Sequence, residues 1–337
     1  MTNYRRTSKR VTIADVAREA GLSPTTVSHS LNGIGQVDPR TRQHVKDVAA
    51  RLKYRPSVRA QRLRTGRSHA IALLSSMPAA VSAGESQLGF FTELAMGLAR
   101  RALLSGYVLV LAPPMDQCDP LSLMDIDGAI LLEPAPDDLI AQELDERAVP
   151  YVTVGGEPGP NNIDLQHAAA ADLLLSHLHA SGARRPGLIL GASGRASQRS
   201  FHERYLAAAQ AQGFTPVVAM AAEEEGEAAG QQAAARLLAE HPELDALCVP
   251  IDTFASGALH AIEAAGLSVP GDLLLTTRHD GVRARMCHPP LTAVNLHLDA
   301  VSSVAVQRLL QILGHEIKDP LLDLPVPDLV ARLSTGA

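Results

Sequence analysis

The 337-residue chain has no tryptophan, only five tyrosines and five phenylalanines, and three cysteines. Cys118, Cys248 and Cys287 are odd in number and far apart. They fit neither a disulfide framework nor a metal site, and a reducing cytoplasm is the expected home. No run of about 18 apolar residues occurs, so no transmembrane helix is expected, and no membrane partner. Behind the basic MTNYRRTSKR there is no apolar stretch, so no secretory signal is expected. Also missing are a nucleophile elbow, a P-loop and a His/Cys metal spacing. GLILGASG puts small residues after a strand but lacks the spacing of a dinucleotide fingerprint. His177 and His179 are two apart, and a regular helix would not aim both at one metal, so they are read as surface residues. An enzyme is therefore not expected, nor a cofactor or metal.

What is present is unevenly distributed. Apolar residues make up 46% of the chain, enough for large cores in two or three domains. The net charge of -6 hides an asymmetry. Residues 1–67 hold 15 basic and 4 acidic residues, a net of +11, whereas the remainder carries 15 basic and 32 acidic ones, a net of -17. A basic head on an acidic body suggests that the head meets a polyanion.

The head reads as three short helices. Thr12 with Asp15 makes a capping-box-like start, and Ile13, Val16, Ala17 and Ala20 form one apolar stripe that Gly21 ends. Ser23 can cap a second helix, with Pro24 at its first position, running to about Leu31. Val27 and Leu31 share its inner face, leaving Thr25, Thr26 and His29 free to touch a partner. Two short helices across a three-residue turn are a helix-turn-helix. Asp38-Pro39 starts a third helix, to about Lys53, with Val45, Val48, Ala49 and Leu52 inside.

VTIADVAREAGLSPTTVSHSLNG, followed by YRPSVRAQRLRTGRSHAIALL, resembles the N-terminus of the LacI/GalR family of bacterial repressors. The resemblance implies a second helix in the major groove, with Pro24, Thr25, Thr26 and His29 facing DNA. Threonine hydroxyls read several bases, and histidine can donate to guanine acceptors. Thr12, Ser23, Ser28, Asn32, Tyr54 and Arg55 join the implied DNA contacts. Arg40 and Thr41 would contact phosphates, which set register rather than sequence. SVRAQRL, Ser57 to Leu63, resembles the family's hinge helix, too short to be stable alone. In the family it orders on DNA beside its dimer mate. Leu63 then matches the leucine that wedges into a central minor-groove step, and Arg59, Arg62, Arg64 and Arg67 fit phosphate neutralisation.

From His69 onward, IALLSS, YVLVLAP, DGAILLEP, VPYVTVGG, RRPGLILGAS, DALCVPID and DLLLTTRHDG are short apolar runs, with Ala-rich helical stretches between several of them. Strands alternating with helices mean α/β with mostly parallel sheets. The resemblance continues through PPLTAV and PVPDLVARLSTG. It implies an all-α helix-turn-helix DNA-binding head plus an α/β, two-lobed, periplasmic-binding-protein-like (type I) ligand domain. The expected boundaries are 1–56 for the head and 57–68 for hinge helix and linker. Residues 69–337 form the ligand-binding and dimerisation domain. Its lobes are expected at roughly 69–155 plus 283–318, and 156–282 plus 319–333. One departure is clear. Only PMDQCDPLSLMDI separates YVLVLAP from DGAILLEP, where the family usually places a full helix.

Ligands in such sheets sit off the carboxyl ends of strands. The resemblance puts Phe90 and Phe91 at the cleft lip, where aromatic rings can stack on a flat ligand. Asp280, in TRHDG, occupies the place of the family's ligand-binding aspartate, with Arg278 and His279 unusual beside it. Arg199, in SGRASQRSFHERY, matches the cleft arginine to within a residue or two, with Arg195 and His202 as competitors. Ile251-Asp252 stands where many members have Asn-Asp. Glu225, in EEEGEAAG, falls nearest to an aromatic that stacks on the ligand in some relatives. Absence of tryptophan tells mildly for a polar or cationic ligand. The expectation is a homodimeric, ligand-responsive repressor of a palindromic operator in double-stranded DNA, with a small effector such as a sugar. The alternatives are a cytoplasmic small-molecule-binding protein with a non-functional head, and a DNA-binding regulator whose cleft has lost its ligand.

Overall fold

A computed structural model of the chain describes residues 11–55, 66–82, 89–112, 121–316 and 322–337. It divides into two compact units, Met1–Ser68 and His69–Ala337.

Among the described residues, the first unit is a head of three helices. Helix α1, Ile13–Ala20, opens on a reciprocal cap between Thr12 and Asp15 and stops at Gly21, whose φ of 66° is left-handed. Helix α2, Pro24–Asn32, opens where the Ser23 hydroxyl accepts from the Thr26 amide at 3.1 Å. Helix α3, Pro39–Arg51, is capped by Asp38, whose carboxylate accepts from the Arg40 and Thr41 amides. Val16, Ala17, Val27, Val45, Val48 and Ala49 close a small core between the three helices, and Ile13, Ala20, Leu31 and Leu52 border it.

The second unit holds two sheets. The first has the order β2-β1-β3-β4-β5, with every pairing parallel. Its strands are β1 Ala70–Ser75, β2 Val108–Leu111, β3 Gly128–Leu132, β4 Tyr151–Val154 and β5 Asn162–Ile163. Every residue of β3 is buried, as expected of a central parallel strand covered on both faces. Helices α4 Ala79–Ser82, α5 Phe90–Leu104 and α6 Leu139–Glu146 belong to this lobe. The second sheet has the order β11-β10-β9-β8-β6-β7. Its strands are β6 Pro186–Gly191, β7 Val217–Ala221, β8 Ala246–Cys248, β9 Leu274–His279, β10 Thr292–Asn295 and the antiparallel β11 Asp328–Val330. With it go α7 His167–Ala180, α8 Ala196–Gln212, α9 Glu227–Glu240, α10 Asp252–Ala264 and α11 Val282–Met286.

Chain crossings between the lobes differ from the expected ones. The first sheet runs on to Ile163, because Thr153 and Val154 pair with Asn162 and Ile163. Strand β10, expected with the first lobe, pairs with β9 and β11 in the second sheet. Among the described residues after β10, helix α12, Leu298–Ile312, returns to the first lobe, where it packs on α5, β3 and β4. Register within a sheet follows hydrogen-bonding neighbours, which an apolar run such as PLTAV does not name. Strand β7 is also absent from the sequence expectation. It is held by Tyr205, whose hydroxyl donates to Pro186 O at 2.6 Å and accepts from Val217 N at 3.0 Å. Burial pushes that phenol up to about 12. Between β2 and β3 the described residues hold one 3-10 turn, Leu121–Leu123. Most of the expected helix deletion, residues 113–120, lies outside the described residues.

Candidate functional site: a helix-turn-helix face and an interlobe cleft

On the head, Pro24, Thr25 and His29 are exposed along α2, and Arg40 and Arg55 are exposed as well. Thr26, Ser28, Asn32 and Thr41 are half-buried. Several have local duties. Thr12 and Ser23 are caps, Thr26 shares a 2.8 Å hydrogen bond with the Ser23 hydroxyl, and Asn32 Nδ2 donates to Ser28 O at 2.7 Å. Tyr54 packs its ring against the head's core. The face left open by these contacts is therefore Pro24, Thr25 and His29. Arg59, Arg62, Arg64 and Leu63 lie outside the described residues.

In the two-lobed unit a cavity sits at the carboxyl ends of the strands, where such sheets hold ligands. Its lining brings in Glu133 just after β3, Arg195 and Gln198 at the start of α8, Glu223 after β7, and Ile251 and Asp252 after β8. Arg278 and His279 at the end of β9, and Phe90 and Phe91 at the start of α5, complete it with Met77 and Val81. The free space between them is ≈ 30 Å³, room for one or two water molecules.

Charge fills this space. Arg278 Nη1 donates to Glu133 Oε1 at 2.6 Å, and both side chains are buried, at 8% and 3% exposure. Phe90 covers the guanidinium of Arg278, 5.0 Å from ring centre to carbon. Ser197 donates to the other Glu133 oxygen at 3.0 Å. Burial by itself would raise the Glu133 carboxyl, but the Arg278 guanidinium beside it, with the hydrogen bonds from Arg278 and Ser197, outweighs it and holds it below the usual range, so it is ionised. Arg195 donates to Ser76 O at 3.0 Å and to Glu133 O at 2.5 Å, while its Nε lies 3.5 Å from Glu223. His279 Nε2 is 3.1 Å from Glu93 on α5, and that hydrogen bond lowers the Glu93 carboxyl. Asp252 has Arg283 at 4.0 Å. Four buried atoms in this lining have no hydrogen-bond partner among the described residues: Arg195 Nε, Arg278 Nε, His279 Nδ1 and Asp252 Oδ2.

Of the residues expected in the cleft, Phe90, Phe91, Asp252 and Arg278 come together there. Arg199, Glu225 and Asp280 do not line it. Arg199 pairs with Glu157 and lines a separate surface hollow, and its place is taken by Arg195, four residues earlier at the N-cap of the same helix. Glu225 is exposed, and Glu223, two residues earlier, is the buried carboxylate. Asp280 is bound by Arg332 and by Arg285, whose Nη2 donates to Asp280 O at 2.7 Å. Strand β9 ends at His279, so Asp280 lies beyond the strand, where Arg332 and Arg285 rather than the pleat set its direction. Glu133 was missed altogether. Its one signal was a charged residue directly after a fully apolar strand. His177 is not free on the surface either: its Nε2 is 2.8 Å from the Thr335 hydroxyl, and burial lowers its pKa.

Comparison with known proteins gives the same two parts. Residues 12–57 match the model of bacterial regulatory proteins of the lacI family, and residues 175–335 match a periplasmic binding protein-like domain. The lactose operon repressor of Escherichia coli (strain K12) is 31% identical, over 98% of this chain and 92% of its own length. The HTH-type transcriptional regulator CelR of Thermobifida fusca is 28% identical, over 93% of this chain and 95% of its own. Among solved structures, the lac repressor dimer bound to operator and the anti-inducer ONPF superposes with a TM-score of 0.78 at 27% identity, covering 98% of this chain and 100% of that one. A CelR–cellobiose complex gives 0.69 at 26% identity, over 96% of this chain and 100% of that one. A capped helix-turn-helix head, two parallel-sheet lobes around a polar cavity and these whole-length relatives place the chain in the LacI family of bacterial DNA-binding transcriptional regulators.

Proposed function

We propose that the protein is a homodimeric repressor of a palindromic operator, acting in the cytoplasm, and that its cleft takes a small, uncharged, polyhydroxyl effector of the sugar class. The observation that carries the ligand reading is charge balance. Glu133, Glu223 and Asp252 each face a guanidinium, of Arg278, Arg195 and Arg283 respectively. A charged effector would add one unmatched buried charge, which is expensive in a low-dielectric site. Hydroxyl groups both donate and accept. They suit the unpartnered Arg278 Nε and Arg195 Nε on one side and Asp252 Oδ2 on the other. The relatives solved with cellobiose and with ONPF support the class. On the head, His29 and Thr25 are assigned to base edges, and Arg40 to phosphate. Leu63 is assigned to the central step.

A thermal-shift screen tests the cleft assignment, comparing neutral mono- and disaccharides with hexuronates and polyamines. Stabilisation confined to neutral saccharides, with a change in operator affinity, is expected. Stabilisation by the charged compounds would overturn the charge-balance argument. No stabilised compound would favour a regulator with an empty cleft.

A further inference from the structure

The residues that line the cleft also tie its two walls together. Glu133 follows β3 of the first lobe, whereas Arg278 ends β9 of the second. Arg195 and Ser197, on the second lobe's α8, reach Ser76, the Glu133 carbonyl and the Glu133 carboxylate of the first. His279 reaches Glu93 and packs edge-on against Phe90, 5.4 Å between ring centres, again across the lobes. With ≈ 30 Å³ left free, no sugar fits while these contacts stand.

We propose that Glu133, Arg278 and Arg195 form an internal latch that closes the cleft without an effector, and that an effector acts by displacing Glu133 from Arg278. The inference rests on the cleft assignment made above. Three features separate the group from ordinary interior packing. First, its bonds cross between the lobes, so they break whenever the cleft opens. Second, Glu133 holds a φ of 39°, a left-handed conformation rarely adopted by a residue with a side chain, and such strain persists only where surrounding contacts impose it. Those contacts are the Glu133 N–H bond to Val154 O within the sheet, at 2.8 Å, and the bonds from Arg195, Arg278 and Ser197 across the cleft. Third, the seam is ionic. Two charges removed from water regain their hydration on opening, so a buried ion pair holds far less firmly than its length suggests. An apolar seam of equal area would shut the lobes for good, whereas this one leaves closed and open arrangements close in free energy. That is the condition under which a small differential affinity can move the equilibrium. Arg278 and Glu133 are thus positioning residues for the lobes. Unlike a site that waits open for its ligand, this cleft is occupied by its own side chains.

The test is hydrogen exchange of the full-length, effector-free protein in a double-mutant cycle of Glu133→Gln, Arg278→Gln and both together. Each single variant is expected to speed exchange in the segments 128–136, 193–200 and 274–281 by on the order of tenfold, the size of a typical coupling between states. The double variant should add little to either single, because one broken latch is the same as two. Exchange in α12, none of whose residues lines the cavity, should stay unchanged, which separates opening from general loss of stability. Arg278→Lys, which keeps the charge, should restore part of the protection. Unchanged exchange at the cleft, additive effects in the double variant, or equal acceleration in α12 would each overturn the latch. Operator affinity measured on the same proteins keeps the two proposals apart. Wild-type protein that fails to bind operator speaks against the regulator assignment, while the exchange pattern alone decides the latch.

Discussion

Asp280 stands next to the cleft yet turns away from it. Its carboxylate accepts from Arg332 near the C-terminus and from Arg285 on α11, tying the end of β9 to both. Removing it leaves two guanidiniums short of a partner. Asp280→Ala should therefore cost about 1.5–3 kcal/mol of stability, the range for hydrogen bonds to charged groups, as read by denaturant melts. A loss of effector response with unchanged stability would instead place it in the site. His29 presents the opposite case, an exposed side chain with a free face. His29→Ala should relax operator preference at one or two positions and weaken binding by about 1–3 kcal/mol. Selection of sites from a random DNA library reads this directly, and an unchanged preferred site would remove His29 from base readout. His167 carries a pH signature. Burial, with Arg278 beside it, outweighs the pull of Glu133 and lowers its pKa below 6.5, so the folded protein keeps it neutral. As pH falls below that value the unfolded chain takes up a proton that the folded one declines. The associated stability is whole above the unfolded pKa and is lost on acidification. The melting temperature should fall between about pH 7.5 and pH 5.5, and His167→Asn should flatten part of that slope.

Elements in the second lobe meet without side chains between them. Helices α9 and α10 cross where Gly230 faces the backbone of Phe254, and Gly257 faces Glu227 O and Gln231 N. A methyl carbon added at Gly257 would stand 2.0 Å from that carbonyl oxygen, which no rotamer change relieves. Gly257→Ala should thus destabilise the body by about 1–3 kcal/mol despite its better helix propensity, through separation of the two helices. A melt at constant pH checks it, and no loss would mean the helices slide apart freely. This crossing positions α10, and with it Asp252 at the cleft. None of that closeness is legible in GEAAGQQAAAR, where small residues mark an Ala-rich helix and no partner. The head helices were far more open to reading. Thr12, Ser23, Pro24 and Asp38 act within one turn of themselves, and each does in three dimensions what its local chemistry requires.

At the scale of the whole molecule, one lobe carries a partly uncovered apolar face. Met96 and Leu104 on α5 are 68% and 76% exposed, Leu103 is 64% exposed, and Val108 on the edge strand β2 is 51% exposed. Met96 precedes Leu103 and Leu104 by seven and eight residues, two helical turns, so the three lie on one side of α5. Contiguous apolar exposure of this kind marks an interface, and the proposed homodimer supplies its cover. Leu104→Glu should split the dimer into monomers in sedimentation and, because two half-sites are then read separately, weaken operator binding by at least the usual specificity ratio of about 10³. A dimer that survives the substitution would move the interface elsewhere.

By itself the sequence determined what depends on neighbours along the chain. Caps, turn glycines and apolar stripes set the head, strand and helix alternation set the fold class, and the split of charge set a polyanion partner apart from an acidic body. Their causes act over a few residues or over simple sums of charge. Only the tertiary structure decided which strand pairs with which, so that β10 joined the second sheet and α12 returned to the first. It also decided that Glu133, Arg195 and Arg278 meet in one cavity, from positions 62 and 83 residues apart along the chain. Long-range hydrogen bonds and buried ion pairs depend on distances in space, and a local pattern contains no measure of those.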